Sequence, residues 1–456
     1  MITFINKYSS LLLVFLFTFN FWNYSFGQET NSLIESKKDS QSETFSSLRG
    51  VTSTLDEQSY FDFIRSSIIS QPEYLMAVSG VEEKDMSLKF ANRQRFPELS
   101  FQIINDTSID RDINDFVSIR KRRDDSFDAN IQLSQPIYTG GKINAEVGIA
   151  RNEFSMSKLI KEESLSNQIV RANEIYLKAA GSDLLYNYGL KILNEVKPYL
   201  DKVRERVNIG IADPIELAIF SIKYNNLESK IQLLRTNRNR DVGVFEYFFR
   251  QKFENIFLPE INVPFINSKN SKNAYQVEAS ILDNKVKKEE IKLTRSEFLP
   301  QFGIRTSFTQ YDLDDDEIED TDIRGGMYFS MPIFTFGRAS AKISSSRARE
   351  KSSKFNIDIE RKNDDVVETE IVNVIDSAHK TRFEIYNSYN DTRKQGEIIK
   401  ARLEFTSFSA QALVDSGLEE LSQLERFIST EVSLLHGYML YLHQNRELNG
   451  LIRISP

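Results

Sequence analysis

Apolar and polar residues alternate strictly from Ser126 to Ser134. Phe127, Ala129, Ile131 and Leu133 fall on one side, and Ser126, Asp128, Asn130, Gln132 and Ser134 on the other. A period of two is the mark of a β-strand with one apolar and one polar face. Weaker versions of the pattern recur: Ile304 and Phe308 alternate with Arg305, Ser307 and Thr309, and Met327, Phe329 and Met331 with Arg324, Tyr328 and Ser330. Together with the stretch after Pro97 they predict four strands, near 99–105, 125–135, 301–310 and 322–332.

A different period governs the rest. From Leu165 through Ile169, Ala172, Tyr176, Ala180, Leu184, Tyr188, Ile192, Val196, Leu200 and Val203 to Val207, apolar residues step by threes and fours. That is one continuous helical stripe, and a helix over 142–208 would run roughly 100 Å at 1.5 Å per residue. Pro198 sits late in it and predicts a kink. A second such pattern spans about 338–416. A shorter helix is expected from Pro72 to about Arg95, ended by Pro97.

These elements occur twice. Phe96-Pro97-Glu98-Leu99 resembles Leu299-Pro300-Gln301-Phe302. Gln135-Pro136-Ile137-Tyr138-Thr139-Gly140-Gly141-Lys142 resembles Met331-Pro332-Ile333-Phe334-Thr335-Phe336-Gly337-Arg338, and Gly210-Ile211-Ala212-Asp213 is set against Gly417-Leu418-Glu419-Glu420. The offsets are 203, 196 and 207 residues. The chain therefore reads as two copies of one unit, 59–255 and 273–445, joined by a linker at 256–272 and followed by a tail at 446–456. Each copy is expected to fold its long helix back on a second one, turning at 210–214 in copy one and 416–421 in copy two.

Ahead of the repeats, residues 1–27 read as a secretory signal: Lys7, the apolar run Leu11 to Phe17, then Ser25-Phe26-Gly27. Residues 28–58 are polar and poor in large apolar side chains, which predicts a disordered leader. The composition narrows the function. The 456 residues include no Cys and three His, which excludes thiolate catalysis and Cys-based metal sites. Net charge is −8, so no basic surplus exists for general nucleic-acid binding. Mean hydropathy of −0.40 excludes a polytopic helical membrane protein. No nucleophile–base or metal constellation points to an enzyme, and no cofactor is expected.

Half-apolar strands suit either a sheet lying on a core or a membrane barrel with lipid outside and water inside. Periodicity alone does not separate the two; a soluble periplasmic coiled-coil scaffold is the alternative reading. In a membrane, four strands cannot close a barrel and open edges are not tolerated. Several chains would then share one barrel, and a trimer would supply twelve strands.

Beyond residue 58 the chain resembles the TolC-like outer-membrane efflux proteins. The features that carry the resemblance are Gln71-Pro72-Glu73-Tyr74, Arg95-Phe96-Pro97-Glu98-Leu99, Gln135 to Lys142, the turn residues Gly210, Asp213, Glu216 and Leu217, and the duplication itself. The resemblance implies an α+β membrane protein. Each of its two tandem repeats would give two barrel strands and a long α-helical hairpin, forming a homotrimeric 12-stranded outer-membrane β-barrel continued by a periplasmic α-helical barrel. It implies an exit duct of a tripartite efflux pump or type I secretion system in a Gram-negative bacterium, working with a periplasmic adaptor protein and an inner-membrane transporter. The duct would be surrounded by outer-membrane lipid and gated at its periplasmic tip.

Candidate site residues follow. Gly210, Asp213, Glu216, Gly417, Glu419 and Glu420 are expected at that tip, as adaptor contact and possible gate. Asp213 and Glu216 are read first as a helix cap that also meets the adaptor, ahead of a gating or selectivity role. Gly140, Gly141 and Gly337 are expected to ease the strand-to-helix transition, although Phe336 stands where a second glycine would be expected before Gly337. Arg120, Lys121, Arg122 and Arg123 lie in the loop of copy one, and Asp314, Asp315, Asp316 and Glu317 in the loop of copy two. They are read as extracellular loop charges, first as solvated surface loops; the sharper reading is that the two loops pair around the barrel mouth, or that the acidic one binds divalent cations. His436 and His443, seven apart on one helix face, are read as surface or packing residues rather than metal ligands.

Overall fold

The computed structural model describes residues 53–107, 125–266, 272–311, 313, 320–405 and 411–451. The loop charges at 120–123 and 314–317, the signal and most of the leader lie outside the described residues.

Helix α1 (Glu57–Ile68) follows a two-residue strand β1 (Leu55–Asp56) and is capped by Asp56, whose carboxylate accepts from the Ser59 N–H at 3.0 Å. Helix α2 (Pro72–Arg93) opens on proline, the residue whose missing N–H costs nothing in a first turn. Strands β2 (Glu98–Thr107) and β3 (Asp125–Tyr138) lead into α3 (Lys142–Asn208), 67 residues long and continuous through Pro198. Helix α4 (Pro214–Phe249) returns along it. After a short strand β4 (Pro259–Glu260) the order repeats: α5 (Tyr275–Ser296), β5 (Gln301–Tyr311), β6 (Asp320–Ser330), α6 (Arg338–Phe405) and α7 (Gln411–Gln444), with a final turn of helix α8 (Leu448–Leu451). Lengths match across the halves: 22 and 22 residues for α2 and α5, 67 and 68 for α3 and α6, 36 and 34 for α4 and α7.

The apolar stripe of α3 is where the core lies. Leu165, Ile169, Tyr176, Ile192, Val196 and Leu200 are all buried. The first of two main clusters joins α1, α3, α4, α6 and α7 around Tyr60, Tyr176, Phe245 and Phe427, and the second joins both hairpins around Ile192, Phe220, Leu227 and Leu421. Each buried large side chain contributes about 1.5–3 kcal/mol, so the pairing of the two hairpins rests on this stripe.

One expected boundary is corrected. Residues 55–58 belong to β1 and α1 rather than to the leader, because Asp56 caps the helix and Tyr60, Ile64 and Ile68 bury its inner face. Within the linker at 256–272, the described residues 256–266 are packed. Leu258, Ile261 and Val263 are buried, β4 pairs in parallel with β1, and the carbonyl of Phe257 accepts from the Tyr176 hydroxyl at 2.9 Å. The tail to Leu451 is packed too, since Leu448 and Asn449 are buried.

Candidate functional site

β2, β3, β5 and β6 form one antiparallel sheet in that order, the two halves meeting at β3–β5. The register sorts the side chains by face. Phe101, Ile131, Phe308 and Ile323 stand in one row across all four strands, and Leu99, Leu133, Thr306 and Gly325 in the next. On the opposite face run Ser100, Gln132, Ser307 and Arg324, then Gln102, Asn130, Thr309 and Asp322. The Asn130 amide donates to the Thr309 hydroxyl at 2.8 Å, and Arg324 pairs with Asp322 at 2.6 Å.

The apolar face is exposed. Leu99, Phe101, Ile103, Ile131, Leu133, Ile304, Phe308, Ile323, Met327 and Phe329 all reach solvent, Met327 at 82%. A soluble sheet would turn such a face onto a core, because contiguous exposed apolar surface is unfavourable in water. The outer edges of β2 and β6 have no partner strand among the described residues.

At the strand-to-helix transitions Gly140, Gly141 and Gly337 adopt φ of 64°, 85° and 81°. Only Gly140 also needs its missing β-carbon for space. One built there would stand 2.8 Å from the Leu299 Cβ and 2.8 Å from the Ser296 carbonyl oxygen.

The first hairpin turn is where the sequence places it. Gly210 at φ 76° is the left-handed residue of a two-bond helix stop: its N–H donates to the Val207 carbonyl at 3.0 Å and the Ile211 N–H to that of Arg206 at 2.9 Å. Asp213 then caps α4, accepting from the Ile215 N–H at 2.8 Å, with Glu216 in the first turn. Sequence reasoning missed the apolar character of this end. Ile209, Ile211, Ile215, Ile219 and Ile222 are exposed, the last three at helical spacing on α4. Their spacing was visible, but it is the same pattern that elsewhere marks the core.

The second turn is a correction. Gly417, Glu419 and Glu420 lie inside α7, so 416–421 is helix and not a turn; residues 406–410 lie outside the described residues. Gly417 is a packing glycine, as its β-carbon would stand 2.7 Å from Ile192 Cγ2. Glu420 is buried and accepts from the Tyr188 hydroxyl, to which the Tyr389 hydroxyl donates at 3.1 Å. Burial, and then the bonds to Glu420 and Tyr389, push the Tyr188 phenol well above its usual range. Glu419 accepts from the Gln423 amide at 2.7 Å.

The Tyr188 node ties the two hairpins together, and charge pairs do the same on either side of it. Lys400 of α6 meets Glu195 of α3, Lys223 of α4 meets Asp415 of α7, and Lys230 of α4 meets Glu425 of α7 at 2.9 Å. His443 rests against the Ser166 hydroxyl at 2.8 Å, and His436 lies 3.5 Å from Asn173. Among the described residues no three His, Asp or Glu are grouped to hold a metal.

No family model matches the sequence, and no curated protein matches it. Solved structures do share the fold. The CmeC outer membrane channel of Campylobacter jejuni superposes with a TM-score of 0.74 at 14% identity, covering 94% of each chain. The MtrE outer membrane channel of Neisseria gonorrhoeae gives 0.71 at 12%, over 85% of this chain and 89% of that one. The outer membrane protein VceC of Vibrio cholerae gives 0.66 at 12%, over 83% and 96%. The fold is that of the TolC-like outer-membrane channels.

Proposed function

We propose that this chain is an outer-membrane efflux duct in which three copies share one β-barrel. The observation that carries the reading is the sheet. It has an exposed apolar face, a polar face in strict register, and two edges with no partner strand among the described residues. Strands of 10–14 residues are long enough to cross a bilayer, which takes about 9–11. The four alternate in direction, so β6 of one copy is oriented to pair antiparallel with β2 of the next. Three copies then make a closed sheet of twelve strands, lipid on the apolar side and water within. The apolar face speaks against the soluble-scaffold alternative.

The helical hairpins would continue the barrel as a periplasmic tunnel, delivering substrate from an inner-membrane transporter by conduction and gating rather than catalysis, in a tripartite pump or a type I secretion system. We place adaptor contact at the first turn, with Gly210, Asp213 and Glu216 framing the isoleucines on α4. The gate belongs where hairpins must slide: the Tyr188–Glu420 node and the lysine pairs to Glu195, Asp415 and Glu425. Opening would break these links, of which the Lys223–Asp415 pair is the most exposed and Glu420 is buried. The loop charges at 120–123 and 314–317 would flank the outer mouth. Purified protein in a planar bilayer tests the reading: discrete conductance steps are expected, rising when Glu420→Gln and Lys400→Gln loosen the links. No conductance from protein inserted in the bilayer would remove it.

A further inference from the structure

The two strand-to-helix transitions are built alike but end differently. In copy one the Lys142 N–H donates to the Thr139 carbonyl at 3.1 Å, the Ile143 N–H meets the Thr139 hydroxyl at 3.4 Å, and the Ala145 N–H donates to Gly141 at 3.0 Å. In copy two the same bonds join Arg338 to Thr335 at 3.0 Å, Ala339 to the Thr335 hydroxyl at 3.4 Å, and Ala341 to Gly337 at 3.1 Å. Residue for residue, Phe336 is the counterpart of Gly140. It holds φ 48°, a left-handed conformation that a bulky side chain rarely adopts, and its ring is 86% exposed. The Phe334 ring stands edge-on to it, centroids 4.4 Å apart, and Ile333 beside them is also exposed.

What Gly140 touches shows what Phe336 lacks. Gly140 sits in the corner where α5 gives way to β5, at Ser296 and Leu299. That corner has its own counterpart in copy one. The Leu299 N–H donates to the Ser296 carbonyl at 3.2 Å, and the Phe96 N–H to the Arg93 carbonyl at 2.9 Å, at the end of α2. The Arg93–Phe96 corner carries an exposed Phe96 ring, with Phe90 exposed one turn earlier. One joint is thus filled within the chain, and the two halves of an equivalent joint are left over, one at each free edge of the sheet.

We propose that Phe336 and Phe334 of one copy dock on the Arg93–Phe96 corner of the next. This rests on the shared-barrel reading, since pairing β6 with β2 of a neighbour is what brings the two half-joints together. The joint cannot copy the one inside the chain, where the Leu299 Cβ leaves no room for a β-carbon. It has to open enough to admit aromatic rings, and burying them offsets the strained backbone at Phe336. Three such joints would lie at the base of the barrel.

The chain contains no cysteine, so the contact can be tested by cross-linking without removing native thiols. Full-length protein carrying Phe96→Cys and Phe336→Cys is oxidised in outer membranes and run without reductant. Covalent dimers and trimers are expected, and neither single variant should give them. Phe336→Gly is the second arm. On backbone grounds glycine is the better residue at φ 48°, so a merely structural role predicts equal or higher heat resistance. Docking predicts that the oligomer dissociates in SDS at a lower temperature than wild type. An oligomer that neither cross-links at this pair nor weakens with Phe336→Gly leaves the barrel standing and overturns the docking, with the rings then facing lipid. A wild-type chain that is monomeric in detergent removes the shared barrel itself.

Discussion

Gly417 of α7 packs so closely on Ile192 of α3 that a β-carbon would stand 2.7 Å from the isoleucine Cγ2. The contact lies in the second core cluster, where the two hairpins meet. Gly417→Ala forces the helices apart or the isoleucine off its rotamer, a cost of about 1–3 kcal/mol. Thermal unfolding in detergent should show the loss. Ile192→Ala in the same chain should recover part of it, so that the double variant is less unstable than the two single losses added together.

That glycine also marks where the sequence misleads. Gly417 and Gly210 look equivalent in the sequence, yet Gly210 stops a helix with φ 76° while Gly417 sits mid-helix against a neighbour. Glycine serves both purposes, and only tertiary contact separates them. The spacing of the other elements argued against the equivalence: Lys142 to Arg338 is 196 residues and Pro214 to Gln411 is 197, whereas Gly210 to Gly417 is 207. The strands and the stripe of α3 were legible because burial imposes periods of 2 and 3.6 on many residues at once. The Tyr188–Glu420–Tyr389 node was not. Its members lie 201 and 232 residues apart, and although Tyr188 belongs to the α3 stripe, nothing local pairs it with Glu420 or Tyr389.

Sheet parity makes an orthogonal prediction. Phe101 and Ser100 are neighbours on β2 that face opposite sides. Phe101→Arg puts a charge on the lipid side and should cost about 2–4 kcal/mol near the bilayer centre. It should sharply reduce the folded protein recovered from outer membranes. Ser100→Arg on the water side should leave recovery unchanged and alter conductance instead.

Acid should destabilise the helical region through its histidines. Burial holds the His443 imidazole down at about 4, and burial likewise lowers His436 and, together with nearby Arg382, His379. A lowered folded value means that the unfolded chain takes up more protons below its own value of about 6.5. Stability is therefore full above that pH and falls as pH drops toward 4, by about 3 kcal/mol for His443 alone. Melting temperatures measured from pH 7 to 4 should fall along this limb. His443→Gln should flatten it.

The exposed isoleucines of the first turn should matter to export but not to assembly. Ile215→Glu with Ile222→Glu changes two exposed residues on one face of α4. Cells carrying this variant should retain a dye that wild-type cells expel, while membrane level, oligomer mass and bilayer conductance stay at wild-type values. Equal dye export by the two strains would move the adaptor contact elsewhere.

The native mass of wild-type protein extracted from isolated outer membranes bears most directly on the shared barrel. The open edges of β2 and β6 and the exposed apolar face predict a species of three chains that needs detergent to leave the membrane. A monomer released into plain buffer would mean that the apolar face is covered within one chain, and would contradict the account.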